Sequence, residues 1–411
     1  MKYVYHFIRY LVKIGLHFFW ADHKIEGKEH IDYKVPTIVV SNHPNTMFDV
    51  LNGVHFINNG IKFLANASLF KSKFNNWFFT NFFCIPVQRP QDIGGNRNLN
   101  NDHAFDAAID YLRDGGYIYI APEGTSFLKR QLLELKTGTA RIGLQAVQEM
   151  GEASEVHILP IGINYTSPTR WAGASYVKVG PPIKLSQWRQ SYEHDPYETV
   201  RIVTNNIKEV LDDLCIDADT DEEEKMLCFD ELTALSRGFA LHNTKESFQS
   251  SHQLLFDIRS QDFLSNIAES KEFKDKSAKF TSLGFDTIDF QKVFYFHKSK
   301  LMHFVALIFF LLISVAWWPI FMPLHFFIRF VSNKIGLYIG YLSTAKLVLA
   351  MVLTLPGIFF FCYYDERILG LDWPWSLDLV LLYIAFQSYK WLNISFNELS
   401  TMRKIRAFSE G

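Results

Sequence analysis

Several common chemistries have no foothold in this chain. It holds four cysteines (Cys84, Cys215, Cys228 and Cys362) in 411 residues and no C-x-x-C pair. That spacing excludes the usual zinc frameworks and a disulfide-stapled fold. A reducing, cytosolic setting for the water-facing part is the simpler expectation. There is no G-x-S-x-G for a serine hydrolase and no H-E-x-x-H for a metalloprotease. Gly138-Thr139-Ala140-Arg141-Ile142-Gly143 has the glycine spacing of a phosphate loop, but Leu144-Gln145 stand where Lys-Ser/Thr is required. No dinucleotide fingerprint and no internal repeat occur. Lys2, Arg9 and Lys13 break up any apolar core of a signal peptide at the start. Neither charge sign dominates: 41 Lys and Arg face 43 Asp and Glu, net -2. The whole-chain balance therefore makes no case for nucleic acid.

What is present is unevenly spread. Hydrophobic residues make up 48% of the chain, and 38 are phenylalanine. Many of these fall in the first twenty residues, around 69–83, and beyond 295. Val4, Ile8, Val12 and Leu16 form one i+4 row, opposite His6, Arg9, Lys13 and His17. Residues 1–25 thus read as an amphipathic membrane-interface helix or as a helix packed on the next domain. Residues 26–190 alternate short β-type runs with helical stretches. The runs are Thr37–Ser41, Ile61–Leu64, Ile85–Gln88, Tyr117–Ala121, His157–Asn164 and Tyr176–Val179, with helices at Ala104–Leu112 and Thr139–Met150. This predicts an α/β domain, a mostly parallel sheet flanked by helices. The aromatic stretch Leu69–Phe83 suits acyl chains, lipid or, most commonly for such residues, a core. Residues 191–300 read as a helical region of open role, with Asp217–Glu224 as solvated surface or linker.

Beyond 300 the class changes. Leu301–Ile328 holds no Lys, Arg, Asp or Glu over 28 residues, enough to cross a bilayer core of roughly 30 Å. A second span is expected at 346–364, and a third apolar segment lies at 377–393. Residues 301–395 are thus expected to be membrane-embedded, a C-terminal transmembrane hairpin, with a polar tail at 396–411. Lys298, Lys300, Lys390, Arg403, Lys404 and Arg406 favour the cytoplasmic side for both flanks, while Arg329, Lys334 and Lys346 between the spans argue the other way.

The chemistry concentrates in two patches. Val39-Val40-Ser41-Asn42-His43-Pro44-Asn45-Thr46-Met47-Phe48-Asp49 sets a histidine at a strand end with a carboxylate six residues on. Pro44 holds His43 extended, and Asn45-Thr46 can open a helix that carries Asp49 in its first turns. Asp49 can then accept the Nδ1 proton and leave Nε2 as a general base. The alternative is an ordinary acidic residue near a helix start. Ile118-Tyr119-Ile120-Ala121-Pro122-Glu123-Gly124-Thr125-Ser126 repeats the passage from strand to polar turn. Gly124 lets backbone N–H groups approach an anion, Thr125 and Ser126 add hydroxyls, and Glu123 is placed to hold a substrate hydroxyl. Arg89 ends a third run with a group suited to phosphate.

Together these segments resemble the glycerolipid acyltransferases, the family of glycerol-3-phosphate and lysophosphatidate acyltransferases. Four blocks stand in family order: His43 to Asp49; Ile85-Pro86-Val87-Gln88-Arg89; Pro122-Glu123-Gly124-Thr125; and Ile158-Leu159-Pro160-Ile161-Gly162-Ile163-Asn164-Tyr165. The resemblance implies catalysis by His43 and Asp49. It implies substrate contacts from Asn45, Arg89, Glu123, Gly124, Thr125, Ser126, Lys136 and Pro160, the last on the acyl-donor side. Two departures stand out. Five residues separate His43 from Asp49 where four are commonest, and Ser126 stands where arginine often does. The longer spacing is similar to a subgroup with fungal glycerol-3-phosphate acyltransferases, which also carry C-terminal membrane segments. Lys129, Arg130, Lys136 or Arg170 is then the candidate for the missing charge; Lys136 directly precedes a glycine turn that opens a helix. The expected reaction moves a fatty acyl group from a thioester, acyl-CoA or acyl carrier protein, to glycerol 3-phosphate. Lysophosphatidate and glycerone phosphate are the alternative acceptors. No metal or bound cofactor and no nucleic acid are expected. The bilayer is expected as a partner, with the protein integral to the membrane and its acyltransferase domain on the cytoplasmic face. A lipid-binding, membrane-anchored protein without catalysis is the reading from another class.

Overall fold

The computed structural model describes residues 2–88, 101–166, 168, 169, 173–236, 244–260, 269–285 and 287, and scattered positions beyond 300. The chain falls into two compact units. One comprises residues 1–13, 25–164 and 177–217, and the other residues 14–24, 165–176 and 218–411.

The strands are β1 (Asp22–Glu26), β2 (Thr37–Ser41), β3 (Ile61–Asn66), β4 (Cys84–Val87), β5 (Tyr117–Ile120), β6 (His157–Tyr165), β7 (Ala174–Val179) and β8 (Ile183–Lys184). Their order in the sheet is β1-β7-β6-β2-β5-β3-β4, with β8 paired to β6. β2 runs parallel to both β5 and β6, and β3 runs parallel to both β5 and β4. The sheet is therefore mostly parallel, as expected; β8 joins β6 antiparallel. All five residues of β2 and all four of β5 are buried, the apolar signature of strands covered on both faces.

One face is covered by α4 (Asp102–Arg113), α5 (Gly138–Met150) and α7 (Pro196–Leu214). Ile38, Val40, Ile118 and Ile158 share a core with Ala108, Ala146 and Val203 from these helices. On the other face α2 (Met47–Val54) packs so closely that a Cβ on Gly53 would sit 3.0 Å from Ile163 Cδ1 and 4.0 Å from the Tyr119 ring. α7 begins where the sequence sets Asp195-Pro196: the Asp195 carboxylate accepts the Glu198 N–H at 3.0 Å, and proline occupies the first turn.

Some expectations need correction. β1 and β8 are additional strands, short and polar enough to leave no period-two signal. The aromatic stretch at 69–83 is not core: α3 (Lys73–Phe82) buries none of its residues. The acidic run is not simply solvated either. Asp217 is buried and accepts the Leu132 N–H at 2.6 Å. In the second unit α8 (Asp221–Ser236) opens with four acidic residues, which suits the positive end of a helix dipole. Glu223 there pairs with Arg259 of α9 (Thr244–Ser260) at 2.9 Å. Burial pulls the Glu223 carboxyl up, but Arg259 and the Asp219 and Thr220 donors more than offset that and hold it low.

The same unit packs Phe229 of α8 against Phe273 and Phe280 of α10 (Lys271–Ser282), with Ile405 and Phe408 joining them. The first helix, α1, covers Lys2–Phe19. A short α6 (Arg189–His194) precedes α7. Among the described residues no helix is long and apolar enough to cross a membrane. The spans expected at 301–328, 346–364 and 377–393 lie almost wholly outside the described residues.

Candidate active site

The parallel register aligns the ends of two strands beside a longer third. Val40 pairs with Ile120 on one side and Pro160 on the other, so β2 and β5 end together while β6 runs on to Tyr165. The chain leaves β2 into Asn42-His43 and β5 into Ala121-Pro122-Glu123. The two polar turns therefore stand side by side.

His43 is held from several directions. Its N–H donates to Glu123 Oε1 at 2.7 Å, and its carbonyl accepts the Phe127 N–H at 3.1 Å. Its Nδ1 lies 3.1 Å from Asp49 Oδ2. The ring is turned somewhat off a straight hydrogen-bond line, a looseness common in unliganded catalytic pairs. Asp49 is fully buried and also accepts the Asn45 N–H at 2.5 Å. A carboxylate that accepts on this side makes Nδ1 the donor and leaves Nε2 to take a proton.

The turn between them absorbs the five-residue spacing. Phe48 N–H bonds to the Asn45 carbonyl at 3.1 Å, and Thr46 sits at φ 47°, ψ -131°. This is the second position of a type II′ turn, where glycine is preferred. A threonine there carries strain of about 1–3 kcal/mol, held by the elements around it. The cost places Asp49 in the first turn of α2, beside the imidazole.

Glu123 is buried, and both oxygens are engaged: Oε1 by His43 N–H, and Oε2 by Leu133 N–H at 3.3 Å. Burial pushes its carboxyl up to about 7, against the pull of those two donors and of His43, and nearby Asp49 adds to the push. In this geometry Glu123 acts on the site through the backbone of His43. The loop after it is closed by Lys136 N–H on the Pro122 carbonyl at 2.7 Å and by Leu132 N–H on Asp217. Gly124 has φ 70°, and a Cβ there would stand 3.5 Å from Lys136 Cγ, so the lysine stem lies along the Gly124 turn. Thr125 is exposed and Ser126 half-buried beside it.

Gly124 and Lys136 are thus together, next to His43, Asn45, Asp49 and Glu123. Pro160 is buried in β6 beside Val40 and faces Gly180. Arg89 and Arg170 lie outside the described residues. Among the described residues no cluster of His, Cys, Asp and Glu suits a metal ion.

Several residues that shape the site carry no motif signal. Asn42 donates to the Ile163 carbonyl at 2.9 Å and accepts the Ile163 N–H at 2.8 Å, extending the β2–β6 ladder by a side chain. Ser41 Oγ bonds the Tyr119 hydroxyl at 2.6 Å beneath the histidine. Burial raises the Tyr119 hydroxyl far above its ordinary range. Only the position of Asn42, next to His43, hinted at such a role.

Residues 22–164 match the family model described as Acyltransferase. Glycerol-3-phosphate O-acyltransferase 2 of Saccharomyces cerevisiae is 28% identical over 114 residues, covering 26% of this chain and 15% of that protein. Glycerol-3-phosphate O-acyltransferase 1 of the same yeast is 33% identical over 104 residues, covering 25% of this chain and 13% of that protein. The chain therefore matches only about one seventh of the length of these relatives. A crystal structure of the 1-acyl-sn-glycerophosphate (LPA) acyltransferase PlsC from Thermotoga maritima aligns with a TM-score of 0.37 and 23% identity, covering 51% of this chain and 80% of that one.

Proposed function

We propose, since residues 22–164 belong to the glycerolipid acyltransferase family, that this chain acylates glycerol 3-phosphate on the way to phosphatidic acid. The observation that carries the reading is the His43–Asp49 pair, backbone-clamped by Glu123 and Phe127 where the parallel strands β2 and β5 end. His43 Nε2 takes the proton of an acceptor hydroxyl as its oxygen attacks the thioester carbonyl. Asp49 orients the ring and stabilises the imidazolium. When the tetrahedral adduct collapses, the C–S bond breaks, and the departing thiolate takes the proton from His43. The products are an ester and a free thiol. The thioester is already activated, so no acyl-enzyme is required.

Lys136 and the backbone and hydroxyls of Gly124, Thr125 and Ser126 form the polar rim suited to the acceptor phosphate. Arg89 is assigned to the same phosphate, Asn45 to the acceptor side and Pro160 to the acyl-donor side, by the family motifs alone. The yeast relatives' names favour glycerol 3-phosphate over lysophosphatidate or glycerone phosphate. The donor is acyl-CoA or acyl carrier protein. The charge-free runs beyond residue 300 support an integral membrane protein with a C-terminal hairpin, and the flanking Lys298, Lys300, Lys390, Arg403, Lys404 and Arg406 support an acyltransferase domain on the cytoplasmic face.

The test is release of free thiol from a long-chain acyl-CoA by the purified protein, with glycerol 3-phosphate or lysophosphatidate as acceptor. Glycerol 3-phosphate is expected to be the faster acceptor. His43→Ala is expected to cut the rate by about a hundredfold to ten-thousandfold while its circular dichroism and melting are kept. Full activity in that variant overturns the mechanism. Membrane association with no thioester consumption overturns the enzyme reading in favour of a lipid-binding protein.

A further inference from the structure

α3 stands out in the first unit. Five of its ten residues are aromatic and none is buried. Phe74 is 66% exposed and Trp77 56%. The rings pack on one another: Phe74 stacks on Phe78 at 5.8 Å, and Phe78 meets Phe83 at 5.6 Å. Phe83 also meets Tyr5 of α1 at 5.7 Å, which joins the two helices. α1 adds Tyr3, 90% exposed, and exposed Phe7 and Tyr10. Water-facing aromatics gathered this way mark a surface with a partner.

Charge identifies the partner. Residues 2–13 and 50–88 hold no Asp or Glu; of their cations Lys13, Lys71 and Lys73 are exposed, while Arg9 is turned to the Ile57 carbonyl and Lys62 lies over the Tyr111 ring. The chain as a whole has 43 acids in 411 residues, so two acid-free stretches meeting at one surface are a marked bias. Lys71 and Lys73 are both exposed, flanking the aromatic helix at its start. Tyrosine and tryptophan suit the depth of lipid headgroups, phenylalanine the acyl boundary, and lysine the negative surface of anionic lipid.

We infer that α3, together with the N-terminal half of α1, is a docking surface for an anionic lipid leaflet. It sets the first unit against the bilayer independently of any span beyond residue 300, and it does not rest on acyl transfer.

The test uses the full chain reconstituted into vesicles, where other segments hold the protein in place and a local probe reads the docking. The probe is the difference in tryptophan emission between wild type and Trp77→Phe. In vesicles carrying phosphatidylcholine brominated near the headgroup plus phosphatidylglycerol, this difference signal is expected to be quenched. Replacing phosphatidylglycerol by phosphatidylcholine is expected to weaken the quenching. Lys71→Glu/Lys73→Glu, with Trp77 intact, is expected to weaken docking by roughly tenfold or more, read as the anionic lipid needed for half-maximal quenching. Equal quenching without anionic lipid overturns the charge assignment. No quenching in any vesicle overturns the lipid surface altogether, and cross-linking between copies through Trp77→Cys would then identify a second copy as the occupant.

Discussion

Glu123 shows how a motif carboxylate serves a neighbour. Its two oxygens fix the backbone of His43 and of Leu133, and burial lifts its carboxyl to about 7 from an ordinary 4.5. A carboxyl raised on folding adds stability that is complete below its unfolded value and is lost as pH rises through the folded one. Wild type is therefore expected to lose up to about 3 kcal/mol relative to Glu123→Gln between mildly acidic and mildly alkaline pH. Melting temperatures of the two proteins across that range check this, and a constant difference counts against a raised Glu123. The glutamine has a single acceptor oxygen, so one of the two N–H groups loses its partner and His43 shifts. Acyl transfer is expected to fall by about a hundredfold at most, in kcat more than in KM, because the group positions the base through its backbone. The sequence pointed to Glu123 through its turn. It did not reveal that backbone amides engage both oxygens, because that depends on a loop return from Leu133 and on β2 lying next to β5.

At the scale of elements, the apolar runs were legible because they are long, buried and bounded by turn residues. The expected Thr37–Ser41 coincides with β2, and the other five runs overlap β3 to β7 with ends within about two residues. What stayed hidden is how the strand ends are fastened. Asparagines at chain junctions carry much of that work: Asn42 bonds both polar groups of Ile163, Asn101 both of Gln88, and Asn164 joins the Leu214 carbonyl and the Ile216 N–H. An amide side chain presents one donor face and one acceptor face, as a peptide does, and no periodicity announces it. Asn42→Ala leaves two buried backbone groups unpaired and is expected to cost about 1–3 kcal/mol, read by chemical denaturation. Gly162→Ala tests the neighbouring contact. A Cβ there would lie 2.0 Å from the Leu214 carbonyl oxygen, so β6 and the end of α7 must move apart. Its cost is expected to reach at least about 1–3 kcal/mol. A neutral result would mean that α7 does not close on β6 as described.

For the whole molecule, the proposed reaction joins a water-soluble acceptor to an acyl chain and yields an amphiphile. An enzyme doing this gains from working at a bilayer surface, where its product can leave without crossing water. The chain has two unrelated features for such a place. One is the acid-free aromatic surface of α1 and α3, which is interfacial. The other is Leu301–Ile328, 28 residues without a formal charge, which is long enough to span. They differ in strength, because interfacial helices come off when their electrostatic attraction is removed, whereas a spanning helix does not. Membranes bearing the protein are therefore expected to keep it in the pellet through high salt and alkaline carbonate and to release it only to detergent. Release by carbonate alone would rule out the C-terminal hairpin and leave the α1–α3 surface as the attachment. Retention in the Lys71→Glu/Lys73→Glu variant, alongside weaker Trp77 quenching, would separate the two features: the span anchors the chain, and the basic aromatic surface sets how the first unit meets the lipid.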